Sequence, residues 1–367
     1  MTKIIGIERL DKTTKRAGHG DNWHMTWAAN DKQYTALCDG DGFEVSGDPL
    51  RFNNSRIYAI TGNPPDHRFE YLPGYPQLDG GSGFYNFGIL ELDGHIYSFL
   101  SHMAKTPDRE YQLAFVGARL ICSPDHGKTW HNHDGSVCTW SELKEPGRQT
   151  QLFLNEPGDA FSLLTVLQMG RGYEHNTDGY VYVYAPNGNS PQTMCQLVLC
   201  RTPRDKICER SVYEFFVAAD NDGSARWSSD VRDRCPLLTF PNGWVNRHVH
   251  PYAWHPSVVY NQPLGVYMMA NWGIGVDDDG NWFAAPSYLG FWTALHPWGP
   301  WTQIHEQTKW LIAGDTMGRN YQPQISPKWL AEDGKSFWLV FTDFRNGGKK
   351  PYYSFNCQKV RILTEEN

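Results

Sequence analysis

The sequence predicts an all-β protein, a seven-bladed β-propeller with a five-bladed one as the alternative. Aromatic residues make up 14% of the chain beside 35 Gly and 23 Pro, which suits short strands and many turns and argues against helix bundles. A strand–turn–strand pattern recurs at irregular intervals of about 60 to 90 residues. One turn motif, the Asp-box, is a tight hairpin turn between outer strands. Four-stranded sheets arranged radially satisfy all three observations. Dividing 367 residues by about 50 per blade gives about seven blades, and one propeller over residues 1–367.

The first hairpin predicts the unit. Met25 to Ala28 and Tyr34 to Leu37 are β-prone runs, and Asn30-Asp31-Lys32 turns between them. His24 precedes the first run while Asp39 and Asp41 follow the second, so an antiparallel pairing gathers them at one rim. Further copies are Phe84 to Leu92 with His95 to Ser101, joined at Asp93-Gly94, and Phe161 to Met169 with Tyr180 to Ala185. Tyr252 to Tyr260 with Val266 to Asn271 follows, then Gln322 to Leu330 with Ser336 to Thr342. Additional strands are expected at 112–123, 196–201, 289–294 and 358–363, and a short turn or helix within 203–216. Ser123-Pro124-Asp125-His126-Gly127-Lys128-Thr129-Trp130 is the Asp-box, a structural turn on the outside of the ring. His131 and His133 just after it are expected to be solvated.

A net charge of −7 gives no electrostatic reason to expect nucleic acid, and an acidic saccharide needs a local Arg or His cluster. No run of 18 apolar residues predicts a membrane span. The N-terminus lacks the apolar stretch of a signal peptide, so the expectation is cytoplasmic, or secreted if a signal has been removed. The eight cysteines form no C-x-x-C pair and read as free core thiols. His248 and His250 share a strand face but lack a third zinc ligand at recognisable spacing, so no metal is assigned. No cofactor is needed for the chemistry considered below, and a structural cation is left open.

Taken in order, Asp21-Asn22-Trp23, Thr26-Trp27, Asp39-Gly40-Asp41-Gly42-Phe43, the Asp-box, Gly170 to Tyr184, Gln196 to Phe216 and Pro297 to Trp301 span most of the chain. In these segments the chain resembles the β-propeller rhamnosyl-glucuronate lyases and hydrolases of gum arabic and arabinogalactan, and more distantly the ulvan lyases. The resemblance implies an enzyme acting on an acidic oligosaccharide or polysaccharide, with L-rhamnose-α-1,4-D-glucuronate lyase activity as the leading expectation. β-Elimination needs a carboxylate clamp, a base for the C5 proton and an acid for the leaving oxygen, roles suited to Arg, His and Tyr. His102, ending the second strand of its hairpin, is the first candidate for base or acid, with Tyr173 or Tyr252 as its partner. Arg171, Arg247 and Arg319 are candidate carboxylate clamps, and His248, His250 and Tyr321 candidate substrate contacts.

His24 carries the alternative, since the resemblance also implies a hydrolase branch working through one histidine on the opposite face. Asp39 and Asp41 read as turn and pore scaffolding. A sugar-binding propeller without turnover is the reading from another class. A protein-interaction propeller is weaker because WD and Kelch signatures are absent.

Overall fold

A computed structural model describes residues 3–75, 78, 83–105, 113–138, 152–188, 193–240, 256–275, 277, 279, 284–312, 319–343 and 353–365. These residues form five antiparallel sheets, each a blade, so the ring has five blades and not the seven expected from length. The physical reason is loop length. At 367 residues over five blades each repeat takes about 73, because long rim connections separate hairpins of ordinary size.

Blade 1 holds His19–Asp21 and Met25–Trp27 innermost, then Gln33–Gly42, Arg56–Thr61 and Arg68–Tyr71. Blade 2 runs Phe84–Leu92, His95–Lys105, Leu113–Ser123, His131–Asn132. Blade 3 begins with Thr165–Val166, followed by Tyr180–Pro186, Gln196–Pro203, Glu214–Ala219 and Ala225–Ser228. Blade 4 comprises Ser257–Asn261, Val266–Gly273, Tyr288–Ala294 and Thr302–Gln307. Blade 5 comprises Asn320–Leu330, Ser336–Asp343 and Phe355–Glu365, and its outer strand is Lys3–Arg9 from the other end of the chain. Residues 204–206 and 210–212 form the short 3-10 turns expected within 203–216.

The innermost strands all run the same way around a narrow pore. Gln168 N–H donates to the Val258 carbonyl, Ile325 N–H to Ser257 Oγ and Glu91 N–H to Thr26 Oγ1, stitching neighbouring blades. Asp21, Phe84 and Asn320 therefore lie on one rim, the entry rim, and the turns at Asp31, Asp93 and Asp333 on the far rim. Between blades the space is filled by apolar side chains, with Trp23, Trp272 and Trp310 fully buried. All eight cysteines are free, but only Cys38, Cys138, Cys200 and Cys357 are the core thiols expected; Cys122, Cys195 and Cys208 are half-buried and Cys235 is exposed. Among the described residues no helix is long and apolar enough to cross a membrane.

The Asp-box takes its expected place on the outer edge of blade 2. Asp125 Oδ1 accepts from Ser123 Oγ, Lys128 N and Thr129 N at 2.8–3.0 Å, and Oδ2 accepts from Thr129 Oγ1 at 2.8 Å. Desolvation works against ionisation, but the Thr129, Ser123 and Lys128 donors together outweigh it and hold Asp125 down to about 2. Trp130 is buried edge-on against Tyr75, their centroids 5.2 Å apart. Asp125→Ala is expected to lower stability by about 1–2 kcal/mol in urea unfolding, with activity unchanged.

Candidate active site on the entry rim

Two carboxylates meet where blade 1 reaches the entry rim. Asp21 ends His19–Asp21 and pairs in register with Cys38, the residue before Asp39. Asp39 has φ 46°, a left-handed conformation that Asp tolerates better than most residues. Gly40 follows because the chain there lies against His19: a Cβ at 40 would stand 2.1 Å from the His19 carbonyl oxygen.

Asp21 is only 6% exposed, and its donors come from both ends of the sequence. Tyr321 and Tyr353 hydroxyls donate to Oδ2 at 2.8 and 2.7 Å, and Asn22 Nδ2 donates to Oδ1 at 2.7 Å. Asp39 is partly exposed and accepts from Asn54 Nδ2 at 2.6 Å, while Tyr85 Oη stands 3.2 Å from the same nitrogen. Beside them His19 Nδ1 lies 3.3 Å from Asp41 Oδ2, and the His19 ring tilts on Tyr353 at 5.3 Å.

Burial sets the proton chemistry. Desolvation pushes Asp39 up to about 6 against the Asn54 hydrogen bond. Desolvation, then the Asp39 charge, pushes Asp21 up to about 8 against its three donors. Between those values the pair holds one proton. The arrangement thus offers a carboxylate and a carboxylic acid side by side near neutral pH, the state that acid–base chemistry on a polar bond requires.

A stability consequence has a definite sign. Unfolded Asp21 releases its proton near pH 4, whereas folded Asp21 keeps it to about pH 8, so the folded state binds more protons between them. The stabilisation is full below about pH 4 and is lost as pH rises through about 8. Asp21→Asn is expected to flatten the fall in thermal midpoint between about pH 5 and 8.5. An unchanged fall overturns the assignment.

The residues expected from sequence divide among several locations. His102 lies on the entry rim, paired in register with Phe84, its ring 4.5 Å from the Phe84 ring. Burial lowers its pKa, so it stands neutral at pH 7, and its Nδ1 has no partner among the described residues. Tyr321 is on the same rim, but its hydroxyl is occupied by Asp21, which makes it a holder of the carboxylate and not a direct sugar contact. Arg319, two residues before it, is half-buried.

Arg171 and Tyr173 are corrections. They form a 3-10 turn on the far rim, where Gly172 lies against Ala29 and Glu91. The nine residues Phe84–Leu92 separate the two rims by roughly 25 Å, so neither can share a substrate bond with His102. Tyr173 is moreover 1% exposed, its hydroxyl reaching the Tyr180 carbonyl at 3.4 Å, and burial raises its pKa well above the usual phenol range. Arg247, His248, His250 and Tyr252 lie outside the described residues.

His24 faces neither rim. It is 2% exposed and lines the pore with Phe87, Thr165, Gln168, Ser257 and Gln324; desolvation lowers its pKa to about 3. Its ring lies inside the channel, Nδ1 3.5 Å from Thr165 Oγ1, and not on the far face where the hydrolase alternative places a histidine.

The sequence did not single out Asp21, Asn54, Tyr85 or Tyr353 as candidate site residues. Asp39-Gly40-Asp41-Gly42 did signal an unusual backbone at the rim, and it was read as scaffolding. No group of three or more His, Cys, Asp or Glu able to hold a metal occurs among the described residues.

No protein-family model matches the chain, and no curated protein matches it. Solved structures do. A Bacteroides ovatus ATCC 8483 protein provisionally classed as a hydrolase aligns with TM-score 0.53 at 15% identity, over 94% of this chain and 87% of that one. A GH43 protein from Bacillus licheniformis aligns with TM-score 0.49 at 10% identity, over 95% of this chain and 56% of that one. The catalytic domain of a Coprinopsis cinerea GH62 α-L-arabinofuranosidase aligns with TM-score 0.46 at 10% identity, over 100% and 97%. At these identities the likeness is one of fold. It agrees with the propeller and does not reach the rhamnosyl-glucuronate family.

Proposed function

We propose that the protein is a carbohydrate-active enzyme that hydrolyses glycosidic bonds on the entry rim. The observation that carries this reading is the Asp21–Asp39 pair at one point of the rim, Asp21 held by Tyr321, Tyr353 and Asn22 and Asp39 by Asn54, where burial raises both carboxyls. Glycoside hydrolysis commonly uses two carboxyl groups in opposite protonation states. Between about pH 6 and 8 the proton rests on buried Asp21, so Asp39, the partly exposed member, is the ionised one and acts as the base toward water. Asp21 sits behind it as a positioning residue, fixed by Tyr321 and Tyr353. The hydrolase classification of the Bacteroides ovatus structure supports the reading as a fold-level analogy.

The test is a panel of aryl pentosides, hexosides and uronides with matching oligosaccharides, including a rhamnosyl-glucuronate disaccharide. Release of reducing sugar is expected with a bell-shaped kcat/KM, its limbs near pH 6 and 8. No release from any member overturns hydrolysis.

His102 supports a second reading, β-elimination at a uronic acid. It is a neutral imidazole with an unpartnered Nδ1 on the rim that also carries Asp39. That reading predicts ultraviolet absorbance of an unsaturated uronate product and its loss in His102→Ala. Sugar release without that absorbance decides for hydrolysis.

A further inference from the structure

The largest apolar exposure near the carboxylate pair lies on one short loop. Leu50 is 45% exposed and Phe52 is 48% exposed, on a rim whose other large aromatics, Tyr85 and Tyr321, are buried. Two devices fix this loop beside Asp39. Asn53 and Gly40 exchange backbone hydrogen bonds at 2.9 and 3.1 Å, and the Asn54 amide holds the Asp39 carboxylate. Phe52 is thus the neighbour of a residue hydrogen-bonded to the strand that carries Asp39.

The loop is also held from below. Arg56 Nη2 donates to the Arg51 carbonyl at 3.1 Å, and Leu50 N–H donates to Asp48 Oδ1 at 2.9 Å. Leu50 has φ 47°, a left-handed conformation costly for a leucine. A solvent-facing apolar pair on a strained, anchored backbone calls for a ligand that the loop is built to meet. The C–H face of a pyranose or furanose ring is apolar and its rim polar, which matches a phenyl ring bordered by carboxylate and amide groups.

We propose that Leu50 and Phe52 form a shelf on which the ring of a second sugar unit packs, next to the unit held at Asp39. The substrate is then an oligosaccharide or polymer chain gripped at two units, not an isolated glycoside. This assignment deepens the function proposed above and rests on it.

Phe52→Ala is expected to raise KM for a tri- or tetrasaccharide about ten-fold, the scale of removing one buried phenyl contact, with kcat unchanged. Aryl monoglycosides keep their KM, Phe52→Trp restores oligosaccharide affinity, and Val137→Ser, an exposed apolar residue of blade 2 that bridges to the outer strand, changes neither. Calorimetric titration of the same oligosaccharides into Asp39→Asn and into Asp39→Asn/Phe52→Ala reads binding without turnover. Equal dissociation constants overturn the shelf. Oligosaccharide binding lost with Phe52 but never followed by cleavage upholds the shelf and overturns the hydrolase reading; absence of both binding and cleavage in the wild type overturns both. A wild-type dimer in sedimentation that Phe52→Ala dissociates also overturns the shelf, assigning the patch to a second copy of the chain.

Discussion

Asp39→Asn is expected to fold as the wild type does and to lose about 10²-fold or more of its turnover, the usual scale of lost acid–base catalysis. Asparagine tolerates the left-handed backbone at φ 46° and is nearly isosteric, so the loss reports chemistry and not misfolding. Circular dichroism and thermal midpoint verify the fold; kcat on the best panel substrate measures the effect. The acid limb near pH 6 is expected to disappear with it, because that limb belongs to the carboxylate removed. Wild-type turnover in Asp39→Asn excludes Asp39 as the proton-transfer group and moves attention to His102.

Arg56→Met is expected to give the largest loss of stability, about 3–5 kcal/mol in denaturant titration. Arg56 and Asp48 are almost wholly enclosed, 2.6 Å apart, and Tyr58 donates to the second Asp48 oxygen at 2.5 Å. Removing the guanidinium leaves a carboxylate inside blade 1 without its counter-charge, and desolvation is then uncompensated. Asp48→Asn placed on top of Arg56→Met is expected to recover part of the loss, since the orphaned charge disappears with it. The same substitution loosens the loop carrying Asn54 and Phe52, so kcat/KM is expected to fall even at temperatures where the protein remains folded. A loss below about 1 kcal/mol indicates an exposed pair of ordinary weight.

The repeating hairpin was legible in the sequence because its signals are local. Asp93-Gly94, Asp333-Gly334 and Gly265 each close a first hairpin of their blade where turn chemistry places them. The opening hairpin and its four copies already number five, one per blade. Seven came from dividing by a generic repeat length, which fails when rim loops are long. The Asp-box was legible for the same local reason. The site was not, because Asp21 is enclosed and held by Tyr321 and Tyr353, 300 and 332 residues away, and no spacing rule relates them. Strand direction explains the error with Arg171 and Tyr173. They follow the end of an innermost strand and His102 lies in the last half of a second strand, and in antiparallel hairpins those positions lie toward opposite rims. His24 shows a further limit: the residues flanking it read as polar rim, but its ring turns into the pore.

The union of Lys3–Arg9 with Phe355–Glu365 bears on how the ring assembles. Lys3 pairs with Glu365, so the closing sheet joins segments 362 residues apart. Until they meet, the five sheets form an open arc. Closure is thereby a late, long-range step with a high loop-entropy cost. It also sets Lys3 beside Glu365, so linking those two strands and opening the chain at the Asp93-Gly94 turn makes that strand pair contiguous and moves the long-range closing pair to Phe84–Leu92 with His95–Lys105.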